Sequence, residues 1–245
     1  MERADRAPVG TFYAPGAWST RVELGESAAH HAGVKRLATG DAVRLTNGEG
    51  MRALGTIDEL ARRRLTVAVD PDTIEHAPRL PHVELWTPVG DRERMLLLAE
   101  KATELGVSSW RPVTYRRSRS VSPRGEGDAF RDKVRLRMIS ALEQSGGAWL
   151  PSTHAEVPLD AALGSAGERS GLLLDHGGPA LPSLLAGVQP PVAIALGPEG
   201  GLEPEELDAF RLAGWRSASL GRNVLRFETA GLAALAIVRA FMIEP

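Results

Sequence analysis

The 245-residue chain contains no cysteine. Disulfides, thiolate metal centres and thiol nucleophiles are therefore excluded, and a reducing compartment suits the composition. An excess of one charge sign is missing too. The chain has 29 Lys and Arg against 31 Asp and Glu, a net charge of −2, so no overall basic field advertises nucleic acid. No apolar run is long enough to span a bilayer, the longest being broken by Arg239. The opening Met1-Glu2-Arg3-Ala4-Asp5-Arg6 has no secretory leader. A soluble, cytoplasmic protein without a membrane partner is expected. The adjacent His30-His31 pair lacks a third ligand nearby, and neighbours in a helix diverge, so no metal is expected.

What the chain does have is concentrated between Pro191 and Ala240. Val192 to Leu196 is uninterrupted and apolar, the pattern of a parallel strand covered on both faces. Gly197-Pro198-Glu199-Gly200-Gly201 breaks it. A helix is predicted next, with Glu203 at the N-cap, Pro204 in the first turn, Glu205 and Glu206 at the positive end of the dipole, and Gly214 as the stop. A second strand, Trp215 to Leu220, runs into the turn Gly221-Arg222-Asn223. Glu228 to Ile243 is predicted as a helix apolar on nearly every face, hence buried. Glycine turns at the carboxyl ends of neighbouring strands are where open α/β sheets hold small ligands, because the backbone can approach closely and use its own N–H and C=O groups. The phosphate-binding patterns are missing, with neither Gly-Lys-Ser/Thr nor G-x-G-x-x-G spacing at the first turn. Taken alone, either turn is explained as well by chain reversal.

The combination is more specific. LGPEGG (196–201), the Pro-Glu-Glu helix start and SLGRNVLRFETA (219–230) entering an Ala/Leu helix resemble the ribosomal RNA small subunit methyltransferase E family. EKATELGV (100–107), SRSV (118–121) and EQSG (143–146) extend the resemblance over most of the chain. It implies S-adenosylmethionine-dependent methylation of N3 of a uridine in 16S ribosomal RNA of the 30S subunit. It also implies an α/β SPOUT domain with a deep trefoil knot at the C-terminus, a PUA-like RNA-binding barrel at the N-terminus, and a homodimer formed through the C-terminal domain. The implied cofactor contacts are Leu174, Leu196, Gly197, Pro198, Glu199, Gly200 and Gly201 on one side. On the other they are Ser219, Leu220, Gly221, Val224, Leu225 and Arg226. The lack of cysteine agrees with a nitrogen acceptor, since pyrimidine carbon methylation usually runs through a thiol. Arg119 and Arg226, on matched motifs, are the candidates to position the base or stabilise its anion. Neither is a base, because guanidinium stays protonated. Glu199 and Glu228 are possible proton acceptors, but turn geometry and helix capping explain each equally well. Two departures stand out: Thr11 and Gly147 occupy positions where the family commonly has arginine.

Upstream, residues 1–72 are β-rich. Strands are predicted at Thr11 to Ala14, Ala42 to Thr46, Met51 to Ile57 and Leu65 to Val69, a hairpin at Asn47-Gly48-Glu49-Gly50, and a helix over Ser27 to Leu37. Such spacing suggests a small barrel. His31, Lys35 and Arg36 are candidate RNA contacts there, although a solvated helix face accounts for them too. The proline-containing stretch 73–82 is read as a linker and 83–245 as the methyltransferase domain. Within it, strands are predicted at Val83 to Val89, Trp110 to Val113 and Gly171 to Asp175, and helices at Asp91 to Leu105 and Leu181 to Leu185. His176 in the turn after Gly171 to Asp175 is read as a bystander.

Between Arg111 and Arg137 nine basic residues face three acidic ones, so this segment carries +6 and the rest of the chain −8. Such segregation points to a polyanion, and Arg116, Arg117, Arg119 and Arg124, set among Ser and Gly, are the expected RNA contacts. Two other functions stay open on sequence grounds: an RNA-binding assembly factor without catalysis, and a related knotted enzyme acting on transfer RNA or a ribose hydroxyl.

Overall fold

The computed structural model describes residues 7–118 and 125–242. It divides into two compact units. One comprises the residues up to Arg79 with Ile139–Leu150, and the other Leu80–Met138 with the residues from Pro151 onward.

The first unit contains β1 (Thr11–Tyr13), β2 (Arg21–Leu24), α1 (Glu26–Val34), β3 (Ala42–Thr46), β4 (Met51–Ala61), β5 (Arg64–Val69) and β6 (Glu75–His76). The strands form one sheet in the order β1-β3-β4-β5-β2, with β6 on β4. β1 is parallel to β3, and the other pairs are antiparallel. The predicted hairpin forms because the Asn47 carboxamide oxygen accepts from the N–H groups of Glu49 (2.8 Å) and Met51 (2.9 Å). A register shift between Ile57 and Glu59 bends β4, as a bulge does. Phe12, Val43, Leu45, Ile57, Leu65 and Val67 form the core, joined by Ala29 and Ala32 of α1. That helix is shorter than predicted because Arg36 takes a left-handed backbone (φ 58°) and the Leu37 N–H bonds back to Ala32 O at 3.0 Å.

Residues 139–150 are tied into this unit, although on sequence they read as part of the later domain. The Glu143 carboxylate accepts from Tyr13 N at 2.8 Å and faces His31 Nδ1 at 3.1 Å. Gly147 O accepts from the Thr46 hydroxyl at 3.0 Å.

The second unit is built on an all-parallel sheet. Its elements are β7 (Val83–Pro88), α2 (Arg92–Glu104), β8 (Ser109–Thr114), α3 (Asp128–Ser145, shared with the first unit), β9 (Ser152–Thr153), β10 (Val157–Pro158), α4 (Leu159–Gly164), β11 (Ser170–Leu174), α5 (Leu181–Leu184), β12 (Val192–Leu196), α6 (Pro204–Leu212), β13 (Arg216–Ala218) and α7 (Phe227–Met242). The strand order is β10-β8-β7-β12-β11-β13, with β9 on β8, and every pair is parallel. The α/β class expected from the sequence is therefore present. β12 is buried at every residue, as its unbroken apolar run demands. α2 and α7 pack together, with α7 lying on β7 and β12. Among the described residues no helix is long and apolar enough to cross a membrane.

Two buried charges brace this unit. Arg239, which interrupts the apolar pattern of α7, turns inward and donates to Pro81 O, Gly106 O and, at 3.1 Å, Ser108 Oγ. Desolvation pushes its pKa down to about 10. Glu84 on β7 meets Arg111 at 3.0 Å and also Arg169. Burial pushes its carboxyl upward, but the Trp86 indole and the two guanidiniums outweigh that and hold it below the usual carboxylate range.

An aromatic cluster closes the other end of the strand order. Trp215 packs on Trp86 (centroids 4.6 Å apart) and edge-on to Phe210 (5.0 Å). It lies directly over Gly171 of β11, where an added Cβ would stand 2.4 Å from the indole. Gly171→Ala is therefore expected to displace the ring and cost about 1–3 kcal/mol. Urea denaturation measures the loss, and near-ultraviolet circular dichroism should show the altered aromatic packing. Unchanged stability and spectrum would contradict this account of the contact.

Candidate functional site

The three neighbouring strands β12, β11 and β13 end level with one another. Leu174 of β11 is in register with Leu196 of β12 on one side and Ala218 of β13 on the other. The segments leaving them all turn over the same carboxyl edge and enclose a cavity of about 410 Å3. Its walls come from Leu174 to His176, from most of the first glycine turn, and from Ala218 to Gly221 and Asn223 to Phe227 with Ala230 of α7. Gly201 sits in the left-handed region (φ +74°), which a branched side chain adopts only with strain. Val224 and Leu225 stand exposed at the pocket and offer apolar surface there.

Twelve of the thirteen residues expected at the cofactor line this cavity. They are Leu174, Leu196, Gly197, Pro198, Glu199 and Gly201, with Ser219, Leu220, Gly221, Val224, Leu225 and Arg226. Gly200 is not among the lining residues; its Cα faces Arg117, whose Cβ would lie 3.2 Å from an added Cβ. The polar lining residues that the sequence did not single out as contacts are Asp175, His176 and Asn223. The His-Gly-Gly turn was a legible signal for the first two, since it follows a strand that proves to be the middle one of the three.

A carboxylate and guanidinium cluster borders the pocket. Asp91 caps α2 by accepting from Arg94 N at 2.9 Å. The Arg94 side chain then donates to Glu199 and lies 3.9 Å from Glu228 at the start of α7. Glu228 is buried, and its Oε2 has no hydrogen-bond partner.

The basic segment is arranged differently from its sequence. Arg119 and Arg124 lie outside the described residues. Arg116 pairs with Glu205 at 3.1 Å, and Arg117 makes a two-pronged pair with Glu203 (2.6 and 3.0 Å) while donating to Gly200 O at 3.2 Å. The acidic start of α6 thus anchors two arginines expected to be unfixed. Buried Glu206 completes the anchor, accepting from Arg116 N and Glu203 N, each at 2.8 Å. Burial first, and the charge of Glu206 second, push the neighbouring Tyr115 hydroxyl well above the usual phenol range. In the first unit His31 is half-buried between Glu143 and the Phe12 ring (centroids 5.4 Å), whereas Lys35 and Arg36 are exposed beyond the end of α1.

The RNA methyltransferase domain model matches residues 78–239, two thirds of the chain. The chain belongs to this RNA methyltransferase family. Over 238 residues the methyltransferase is 27% identical to the ribosomal RNA small subunit methyltransferase E of Mycobacterium bovis, covering 91% of this chain and 87% of that one. It is similar in structure to a ribosomal RNA small subunit methyltransferase E from Neisseria gonorrhoeae bound to S-adenosylmethionine. That match has a TM-score of 0.82 and 25% identity, over 94% of this chain and 97% of the other. A putative methyltransferase from Legionella pneumophila, also in complex with S-adenosylmethionine, superposes with a TM-score of 0.83 at 26% identity, over 96% and 98% of the two chains.

The methyltransferase should depend more on Glu206 than on the surface pairs beside it. Glu206→Ala leaves two part-buried N–H donors without their carboxylate and is expected to cost about 1–3 kcal/mol. Arg117→Ala removes a half-exposed pair and should cost less than about 1 kcal/mol. Denaturant titration of both variants tests this ranking, and equal losses would overturn it.

Proposed function

We propose that this protein methylates N3 of a specific uridine in 16S ribosomal RNA, with S-adenosylmethionine as methyl donor. The observation that carries the reading is the cavity at the three strand ends, in a member of the RNA methyltransferase family whose similar solved structures hold S-adenosylmethionine in two cases. The residues suit that molecule. A cavity of about 410 Å3 is within the range of small-molecule sites. Exposed Val224 and Leu225 offer apolar surface to a planar base, and the glycine turns leave backbone groups free to approach it.

When bound, S-adenosylmethionine supplies an already activated methyl group. The chain's own task is then to hold the acceptor in line, exclude water and let the N3 proton leave. Arg226 is exposed on the pocket wall, where its guanidinium can orient the uracil or stabilise its anion. We assign Arg119 the same kind of role from the family motif. For RNA we retain Lys35, Arg36 and Arg124, with His31, Arg116 and Arg117 contributing if RNA phosphates displace their present carboxylate partners. We further propose that the strand-end turns form the trefoil knot of the SPOUT enzymes and that the N-terminal sheet is a PUA-like RNA-binding module. The enzyme would act in the cytoplasm as a homodimer through the C-terminal domain. The exposed Leu97 and Phe241, on the mutually packed α2 and α7, support the dimer by offering apolar surface for a second copy.

Incubation with isotope-labelled S-adenosylmethionine should label 30S subunits more strongly than naked 16S RNA, and digestion should release 3-methyluridine from one site. Two separate RNA-binding surfaces engage together only when the RNA is held in a fixed arrangement. Label on ribose, on transfer RNA alone, or equally on short oligonucleotides would overturn the substrate. In a second experiment, Gly201→Val should abolish calorimetric binding of S-adenosylmethionine while circular dichroism remains that of the folded chain. Retained affinity in the folded variant would move the cofactor away from this turn.

A further inference from the structure

The departing N3 proton needs an acceptor, and the arginines at the site cannot serve because guanidinium stays protonated. Two glutamates stand beside Arg94, and burial separates them. The Glu228 side chain is 10% exposed. Its Oε2 is sealed from solvent, so a nucleobase cannot reach that atom in this arrangement. The Glu199 side chain is 51% exposed and lines the cofactor cavity. Asp175 and His176 also face the cavity, at the exit of β11. Among the described residues, neither side chain is held by another element, whereas Glu199 is gripped by Arg94 from a capped helix turn.

We propose that Glu199 accepts the N3 proton of the target uridine and that Arg94 is its positioning residue, an inference that rests on the uridine-N3 reading above. Arg94 is fixed from both sides. The Asp91 cap holds its backbone at the start of α2, and buried Glu228 supplies a negative pole 3.9 Å behind the guanidinium. Its remaining reach is to Glu199, which it orients at the edge of the cavity. A preorganised carboxylate costs little reorganisation at the moment of reaction. Glu199 takes the proton as the N3–C bond forms and the S–C bond breaks, the bonding pair staying on sulfur. The products are 3-methyluridine, S-adenosylhomocysteine and a protonated carboxyl, which passes its proton to the water at its exposed side.

The test combines rate, product identity and pH profile. Glu199→Gln keeps the shape and removes the base. At saturating S-adenosylmethionine its single-turnover rate on 30S subunits at neutral pH should fall about 10²- to 10³-fold. The deficit should shrink about tenfold per pH unit as hydroxide ionises N3 directly. It should also shrink when the target carries 5-fluorouridine, whose N3 is more acidic. Arg94→Ala should slow the reaction yet keep the level wild-type pH profile, and Arg94→Lys should recover part of the rate. A pH-independent deficit in Glu199→Gln at saturating cofactor, or transfer of the pH-dependent deficit to Asp175→Asn or His176→Gln, would each overturn the assignment. The nucleoside made by the wild-type enzyme separates this failure from that of the underlying reading: a product other than 3-methyluridine sinks the reading itself.

Discussion

The seating of Trp215 on Gly171 is the contact on which the site depends. With no side chain at 171, the indole can lie across β11, and β13 then pairs beside β11 rather than following its own predecessor β12. That pairing sets Leu174, Leu196 and Ala218 at one level, so three chain exits share one edge. A parallel sheet places such exits where ligands bind. Because Trp215 also fills the space against Trp86 and Phe210, the ring is held by packing on several sides, and the strand order is fixed by shape rather than by hydrogen bonds alone.

Charge is used in this molecule more locally than its sequence suggests. The +6 segment is not simply offered to solvent, since the acidic start of α6 takes up Arg116 and Arg117. Those ion pairs are half-exposed and contribute little to stability by themselves. Their larger effect is geometric. Arg117 reaches Gly200 O, so the loop after β8 and the first glycine turn are held together. Such exposed pairs weaken with salt and exchange partners readily, which suits a surface proposed to meet phosphate.

Much of the second unit was legible because its signals are local. The apolar run of β12 gave that strand to the residue, and Glu203, Pro204 and Gly214 marked the ends of α6. The expected bounds Asp91 to Leu105 matched the two caps of α2 in the same way. The four-residue β2 was missed, as were the two-residue β6, β9 and β10, which are too short to show periodicity. Ile139 to Ser145 completes α3 and Gly146 to Leu150 simply follows it, so nothing local announced that Glu143 would bond Tyr13 or that Gly147 would meet Thr46.

By itself the sequence determined the α/β class and the two glycine turns, because each rests on neighbouring residues, and the family resemblance that those turns carry implied most of the cavity's lining. Tertiary structure decided which groups meet. Arg117 and Glu203 are 86 positions apart, and Arg116 and Glu206 are 90 apart. His176 entered the cavity because its strand lies between the other two. Arg239 found its carbonyl partners across 158 and 133 positions. Strand order, packing around Gly171 and burial set these meetings, and all three are properties of the folded chain that no short window of sequence contains.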